Sequence, residues 1–469
     1  MEPISIAEVL SASSGTLVAG TDTGAVGAVC TDTRRLRRGD LFIAIVGRNF
    51  NGHDYLAEAV DRGCRGIVYS RPATAEAAAA WGAQGVALIR VRDTLDAFAL
   101  IAQRYRRRFK LPLVAVTGSN GKTTTKEMIR TIASTRFSVL ASEGTFNNFV
   151  GVPLMLLRIE AWHTLAVLEL GMNARGEIRR LAEIAAPEIG VVTNVGPAHL
   201  EFLGTLENVA AAKAELLDAM AAPGRERGRT AILNLDDPRV AAMGAGAGLA
   251  SKTFGMSEGA DVRAEDVRAD ESGVSFLMRF RRAGRAVRVT LPVYGVHNVS
   301  NALAAAAACE ELGIDPEEIA GALRGMRLPP MRMEALSRGG VTVINDAYNA
   351  NPASMRAAVE TLAAMKTLGR RILVIGDMLE LGGASNEAHR EVGTLAAARG
   401  IDVLVAVGPL SARAADAAAA AGMPPSSVAR CAGAREAAEA LWAIAREGDC
   451  VLLKASRRMG LEKILEEPE

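Results

Sequence analysis

The sequence predicts an α/β fold in three domains, at residues 1–110, 111–327 and 328–469. Three observations predict it. Residues 113–125 read as a buried strand, a glycine turn and the first turn of a helix. Short apolar runs, each closing on a polar residue or a glycine, recur between helical stretches along the chain. The length of 469 residues exceeds what one core usually takes, since domains run about 100–200 residues.

The first block alternates short strands and helices, with strands at 40–46 and 66–69. It closes on Arg104-Tyr105-Arg106-Arg107-Arg108-Phe109-Lys110, the basic end of a helix leading into the next strand rather than a nucleic-acid patch. In the second block, 165–168 runs into Glu169, 190–193 into Asn194 and 231–233 into Asn234. Continuous apolar strands separated by helices indicate a parallel sheet covered on both faces. Residues 260–295 alternate instead, which predicts a small side sheet. The pattern breaks at Leu328-Pro329-Pro330, as a linker does. In the third block, 341–344 precedes Asn345, 371–375 Gly376, 403–407 Gly408 and 450–453 Lys454. Ligands of open α/β sheets sit at the carboxyl ends of strands, so these closing residues are site candidates. The alanine runs 304–308 and 417–421 read as helix faces.

The chemistry starts at Thr117-Gly118-Ser119-Asn120-Gly121-Lys122-Thr123-Thr124. A strand, a glycine turn and a helix point backbone N–H groups and a helix N-terminus at one spot, where an anion is stabilised. Lys122 would neutralise the β- and γ-phosphates of a nucleotide, and the Thr123 hydroxyl would reach a Mg²⁺. A glycine is usual five residues before Gly121; Val116 stands there, so the loop is a shorter-headed variant. Because every part occurs in the right order, the sequence predicts a nucleoside triphosphate site. Glu169 would face the same edge and is the expected Mg²⁺ ligand, since Mg²⁺ prefers oxygen donors. His199, past the strand ending at Thr193-Asn194, is a further candidate there, although a lone histidine is more often structural. The architecture is therefore a small N-terminal α/β domain, a central P-loop parallel-sheet ATPase domain and a C-terminal Rossmann-like domain.

Composition narrows the function. The net charge is +1, from 54 basic and 53 acidic residues, so no global field favours nucleic acid or an anionic membrane. Cys30, Cys64, Cys309, Cys431 and Cys450 are scattered without a CxxC pair, which suggests a reducing compartment and no disulfide framework. The opening Met-Glu-Pro-Ile-Ser does not resemble a signal peptide, and no apolar run approaches the ~18 residues of a membrane span. A cytoplasmic protein is expected. Gly255-Met256-Ser257-Glu258-Gly259 fits the G-x-S-x-G pattern of serine hydrolases, which needs a strand before it and a helix after it; β-like segments follow here. No G-x-G-x-x-G opens a helix after a strand, which disfavours a dehydrogenase.

Further motifs follow the P-loop in order. They are Thr145-Phe146-Asn147-Asn148, Glu169-Leu170-Gly171, the 194–199 segment, Ala212-Lys213-Ala214-Glu215 and Gly295-Val296-His297-Asn298. Asp346-Ala347-Tyr348-Asn349-Ala350-Asn351-Pro352 and Gly376-Asp377-Met378-Leu379-Glu380-Leu381-Gly382 come next. Over essentially its whole length the chain resembles the ATP-dependent Mur ligase superfamily, which builds the stem peptide of the bacterial cell wall. The last two motifs resemble the branch that adds D-alanyl-D-alanine to UDP-N-acetylmuramoyl-tripeptide. The alternative is a sister ligase adding a single amino acid, such as the diamino-acid-adding enzyme or a folylpolyglutamate synthase.

The resemblance implies ATP, two Mg²⁺ ions and an acyl-phosphate route in a protein acting as a monomer. It implies that Lys213 reacts with CO₂ to give a carbamate that helps His199 hold the second Mg²⁺. Asn298 and Asn301 match residues that hold the adenine, and Arg332 matches an arginine that reaches the ATP phosphates. Asp346, Asn349 and Asn351 match the stretch that meets ATP when the C-terminal domain closes. Asn147 and Asn148 match substrate-side residues. Thr31, Asp32, Thr33 and Arg34, with Asn49-Phe50-Asn51-Gly52-His53-Asp54, resemble the uridine-nucleotide pocket, although Asn, Asp and Gly also simply build turns. Two departures stand out: Ala174-Arg175 replaces the usual His-Pro, and Ala455 stands where the superfamily favours glycine, in Lys454-Ala455-Ser456-Arg457.

Overall fold

Val114, Ala115 and Val116 expose nothing to solvent, so their strand must be covered on both faces, and it lies inside the largest sheet. In the computed structural model this sheet has nine strands. Leu113–Thr117 lies between Leu165–Glu169 and Ile189–Val192, both parallel to it. Val139–Ala141 forms one edge, and Thr230–Asn234 and Ala250–Gly255 continue the parallel array on the other side. The structure describes residues 1–466 except 48–49, 72, 145, 223–227, 247 and 271–272. Asn49 and Thr145, both motif positions, lie outside the described residues.

Residues 260–295 do not make a separate side sheet. Val262–Asp270 pairs in parallel with the end of Ala250–Gly255, and Gly273–Phe280 and Arg285–Leu291 add to it antiparallel. Val262, Ala264, Phe276, Met278 and Val289 are buried while their neighbours are not, so the alternation records one covered face on an extension of the main sheet. The helix His297–Glu311 lies against this sheet and against the helix Lys122–Ala133. Ala302 and Ala304 through Ala308 are wholly buried, so this alanine run has no solvent face at all. By contrast, Ala412–Ala420 buries Ala414, Ala415 and Ala418 along one stripe.

The N-terminal part carries a five-stranded sheet, in the order Thr16–Ala19, Ala87–Arg90, Gly66–Tyr69, Leu41–Ile43, Val29–Cys30, and a two-stranded pair. Its last helix, Thr94–Arg106, packs on Gly151–Leu157 and Glu177–Ala185, so one apolar core runs from Ile6 and Val9 through Phe98 to Leu156 and Leu181. Arg106, in the basic run, is buried; it donates to Phe109 O and Leu111 O and pairs with Glu188 at 3.6 Å. The C-terminal part has six strands, in the order Glu334–Arg338, Val341–Asn345, Cys450–Lys454, Arg371–Gly376, Val403–Val407, Val428–Cys431. Only the first pair is antiparallel. No helix of the described residues is long and apolar enough to cross a membrane.

Candidate active site

The strand Leu113–Thr117 and the helix Lys122–Ala133 are joined by a turn that only glycine allows at two points. Gly118 and Gly121 hold φ of 151° and 79°. A Cβ on Gly121 would also lie 2.1 Å from Asn301 Oδ1. The next strand's loop fixes the turn from the side. Asn194 brackets Asn120, accepting its N–H at 2.9 Å and donating to its carbonyl at 3.1 Å, and Ser119 Oγ donates to Gly196 O at 3.0 Å. Lys122 Nζ folds over the loop onto Gly118 O at 2.9 Å. Burial lowers the Lys122 pKa; Glu169 opposes that shift and the Arg332 cation adds to it.

Thr123 and Glu169, read as ligands of one ion, are in contact. Thr123 Oγ1 donates to Glu169 Oε2 at 2.6 Å. Asn147 Nδ2 donates to the other oxygen at 2.8 Å, and Arg332 Nη2 donates to Thr123 Oγ1 at 2.9 Å. Asn148 lies just ahead of the helix Gly151–Leu157, its Oδ1 accepting from Val150 and Gly151 N–H. Clusters of three or more His, Cys, Asp or Glu able to hold a metal are absent among the described residues. An ion at Thr123 and Glu169 would therefore complete its shell with phosphate and water oxygens, a donor set that suits Mg²⁺.

Lys213 sits on the helix Leu206–Met220 and is 2% exposed. Burial and then the Lys122 cation push its pKa far down. His199 turns the chain in the left-handed region (φ 57°), and its Nδ1 lies 3.0 Å from Glu380 Oε2. Burial, then the Lys122 cation, lowers its pKa, with Lys213 adding to that and Glu380 opposing it.

The C-terminal domain supplies the facing wall. The Arg332 guanidinium lies 3.9 Å over the Tyr348 ring, between Met331 and Met333, which hold φ of 60° and 50°. Asp346 accepts the Met333 N–H at 3.2 Å and forms an ion pair with buried Lys454, which also donates to Asn349 O at 3.1 Å. Asn351 caps the helix Pro352–Ala364 and reaches Asn120 at 2.6 Å. Asn298 accepts from Asn301 at 2.9 Å at the start of the alanine helix. Arg332, Asp346, Tyr348, Asn349, Asn351, Asn298 and Asn301 line one cleft of about 420 Å³ together with Gly118 to Thr124, Asn147, Asn148, Glu169, His199 and Lys213.

The comparisons with known proteins agree along the chain. The sequence matches the Mur ligase family catalytic domain over residues 26–106 and the Mur ligase middle domain over residues 116–309. It matches the Mur ligase glutamate ligase domain over residues 331–457. It is 35% identical over 440 residues to the UDP-N-acetylmuramoyl-tripeptide--D-alanyl-D-alanine ligase of Bacillus subtilis, covering 94% of this chain and 92% of that one. The chain belongs to the Mur ligase family. Its fold matches a crystal structure of MurF from Acinetobacter baumannii at a TM-score of 0.88, with 30% identity and 99% and 98% coverage. A MurF ligase from Thermotoga maritima in complex with ADP matches at 0.81, with 27% identity and 94% and 96% coverage.

In this Mur ligase the first-domain candidates sit apart from the cleft. Asp32 caps a short turn and pairs with exposed Arg34 at 2.8 Å, with Thr31 and buried Thr33 beside it. Asn51 Oδ1 accepts the His53 N–H at 3.2 Å, and His53 Nε2 accepts the Ser70 N–H at 2.9 Å. Ser257 lies in a turn whose N–H groups bond Asp236, with a strand on either side, so the G-x-S-x-G match has no helix behind it.

Several residues in or next to the cleft of this Mur ligase were not picked out from the sequence. Glu380 lay within a quoted motif, but nothing local marks a partner 181 positions away. Lys126, one helical turn after Lys122, would ordinarily be a solvated charge. It is buried, ion-paired with Glu127 at 2.5 Å, and donates to Ser142 O, while Ser142 Oγ accepts the Glu169 N–H at 3.1 Å. Asn194 and Tyr348 line the cleft itself, whereas Glu380 and Lys126 stand behind residues that do.

Proposed function

We propose that this chain is the ATP-dependent ligase joining D-alanyl-D-alanine to UDP-N-acetylmuramoyl-tripeptide, yielding the UDP-N-acetylmuramoyl-pentapeptide precursor of peptidoglycan. The observation that carries this reading is the cleft that Lys122, Thr123 and Glu169 line together with Arg332 and Asn351. It occurs in a chain closely similar to enzymes of that name.

A carboxylate is a poor electrophile in water, so it must be activated. The terminal carboxylate of the tripeptide attacks the γ-phosphorus of ATP, forming an acyl phosphate as the bond to ADP breaks. The dipeptide amine then attacks the acyl carbon, phosphate leaves and the amine proton is lost. Lys122 exchanges its contact with Gly118 O for phosphate oxygens, and Arg332 presents its fork to the same charge. A Mg²⁺ held by Thr123 and Glu169 would neutralise phosphate oxygens. The low pKa of Lys213 leaves amine free to add CO₂ with loss of a proton, and the carbamate oxygens, with His199, suit a second Mg²⁺. Asn298 and Asn301 hold the base, Asp346 and Asn349 order the loop against the phosphates, and Asn148 borders the tripeptide's end. Thr31, Asp32, Thr33, Arg34, Asn51 and His53 hold the uridine end. We take the enzyme to act as a monomer, and the five free cysteines suit the cytoplasm.

Phosphate release with ATP, Mg²⁺ and the UDP-linked tripeptide tests the reading. Release that requires D-alanyl-D-alanine, with the pentapeptide product by mass, is the expected result. Release with a single amino acid instead overturns the choice of acceptor.

A further inference from the structure

We infer that Glu380 is a positioning residue for the reaction: it reaches from the C-terminal domain to His199 Nδ1 and so makes Nε2 the ring nitrogen that faces the cleft. The inference rests on the proposed role of His199 in the phosphoryl-transfer site.

Three observations carry it. Both partners of the 3.0 Å contact are non-glycine residues in the left-handed region, His199 at φ 57° and Glu380 at φ 64°. Such a conformation is strained for a residue with a side chain and persists only where its surroundings hold it. The pair is also doubled at the backbone, where Glu201 N–H donates to Glu380 O at 3.3 Å. Finally, the loop carrying Glu380 is braced from behind. His389 Nε2 accepts the Met378 N–H and Ser456 Oγ accepts the Leu379 N–H, each at 2.9 Å.

Stability does not explain this construction. The His199 and Glu380 side chains are 26% and 40% exposed, and pairs so open to water contribute little. What the contact does fix is orientation. A carboxylate at Nδ1 holds the proton there and leaves the Nε2 lone pair free, the arrangement that orients a ligating or polarising imidazole. Because Glu380 and His199 belong to different domains, the ring is held only while those domains are docked. His199 is thereby readied by the same closure that brings Arg332 to Thr123.

The test uses the full-length protein with [¹⁵N]histidine, Mg²⁺ and a non-hydrolysable ATP analogue, reading the ring-nitrogen shifts of the five histidines. Wild type should show His199 protonated at Nδ1. Glu380→Ala should lose that signature and need about tenfold more Mg²⁺ for half-maximal ligation, with an unchanged melting temperature. Glu380→Gln, whose amide oxygen still accepts from Nδ1, should restore the signature. A folded Glu380→Ala protein with the wild-type signature and wild-type Mg²⁺ dependence overturns the inference. If wild type fails to ligate the dipeptide, the ligase reading fails, while the nitrogen shifts still decide the role of Glu380.

Discussion

Asn351 donates from Nδ2 to Asn120 Oδ1 at 2.6 Å while its own Oδ1 accepts the Ser354 N–H at 2.9 Å. One side chain thus starts a helix of the C-terminal domain and touches the glycine turn ahead of Lys122. The two roles are separable. Asn351→Asp keeps the cap and sets a negative charge beside the loop, so stability should change by less than about 1 kcal/mol while the KM for ATP rises about tenfold. Asn351→Ala should lose about 1 kcal/mol in urea unfolding as well.

Lys122→Ala removes the cation that closes over the P-loop. Ligation should fall by at least about a hundredfold, with the circular dichroism spectrum and melting temperature retained. Wild-type rates in this variant would remove the P-loop from the mechanism.

Ala455 stands where the resemblance leads one to expect glycine, and the structure shows what accommodates it. A Cβ on Gly376 would lie 2.7 Å from the Ala455 Cβ. Ala455 is wholly buried and outside the left-handed region, so no glycine is needed there for backbone reasons. Gly376→Ala should destabilise by about 1–3 kcal/mol in urea unfolding, and adding Ala455→Gly should recover most of the loss.

His389 is buried with both nitrogens engaged: Nδ1 faces Ser385 O at 2.7 Å and Nε2 accepts from Met378 N–H. A second ring proton would meet that N–H. Burial accordingly sets the pKa below 6.5, against the opposing Ser385 carbonyl. The folded protein therefore binds this proton less readily than the unfolded chain. Stability tied to the neutral ring is complete above about 6.5 and is lost as the pH falls through the lower folded value. Urea midpoints measured from pH 7 to 5 should fall more steeply for wild type than for His389→Gln.

How much was legible follows from how local each signal is. Strands such as Leu113–Thr117 and Val403–Val407 announce themselves because burial on two faces leaves an unbroken apolar run. The P-loop is legible because its glycines, lysine and threonine act within one turn of chain. The alternation at 260–295 correctly signals one covered face, but alternation does not say which sheet edge a strand joins. Arg332 was reached through a motif match, whereas its contact with Thr123 spans 209 positions and depends on how two domains dock. Lys126 was illegible because only its burial against Ser142, not its spacing, separates it from a surface lysine.

The alanine run of His297–Glu311 has a mechanical consequence. Methyl groups have no alternative rotamers, so its seam with Lys122–Ala133 offers a single way to fit together. The two helices that carry Lys122 and Asn298 are consequently one rigid anvil. The C-terminal domain is joined to it through the irregular stretch that contains Leu328-Pro329-Pro330.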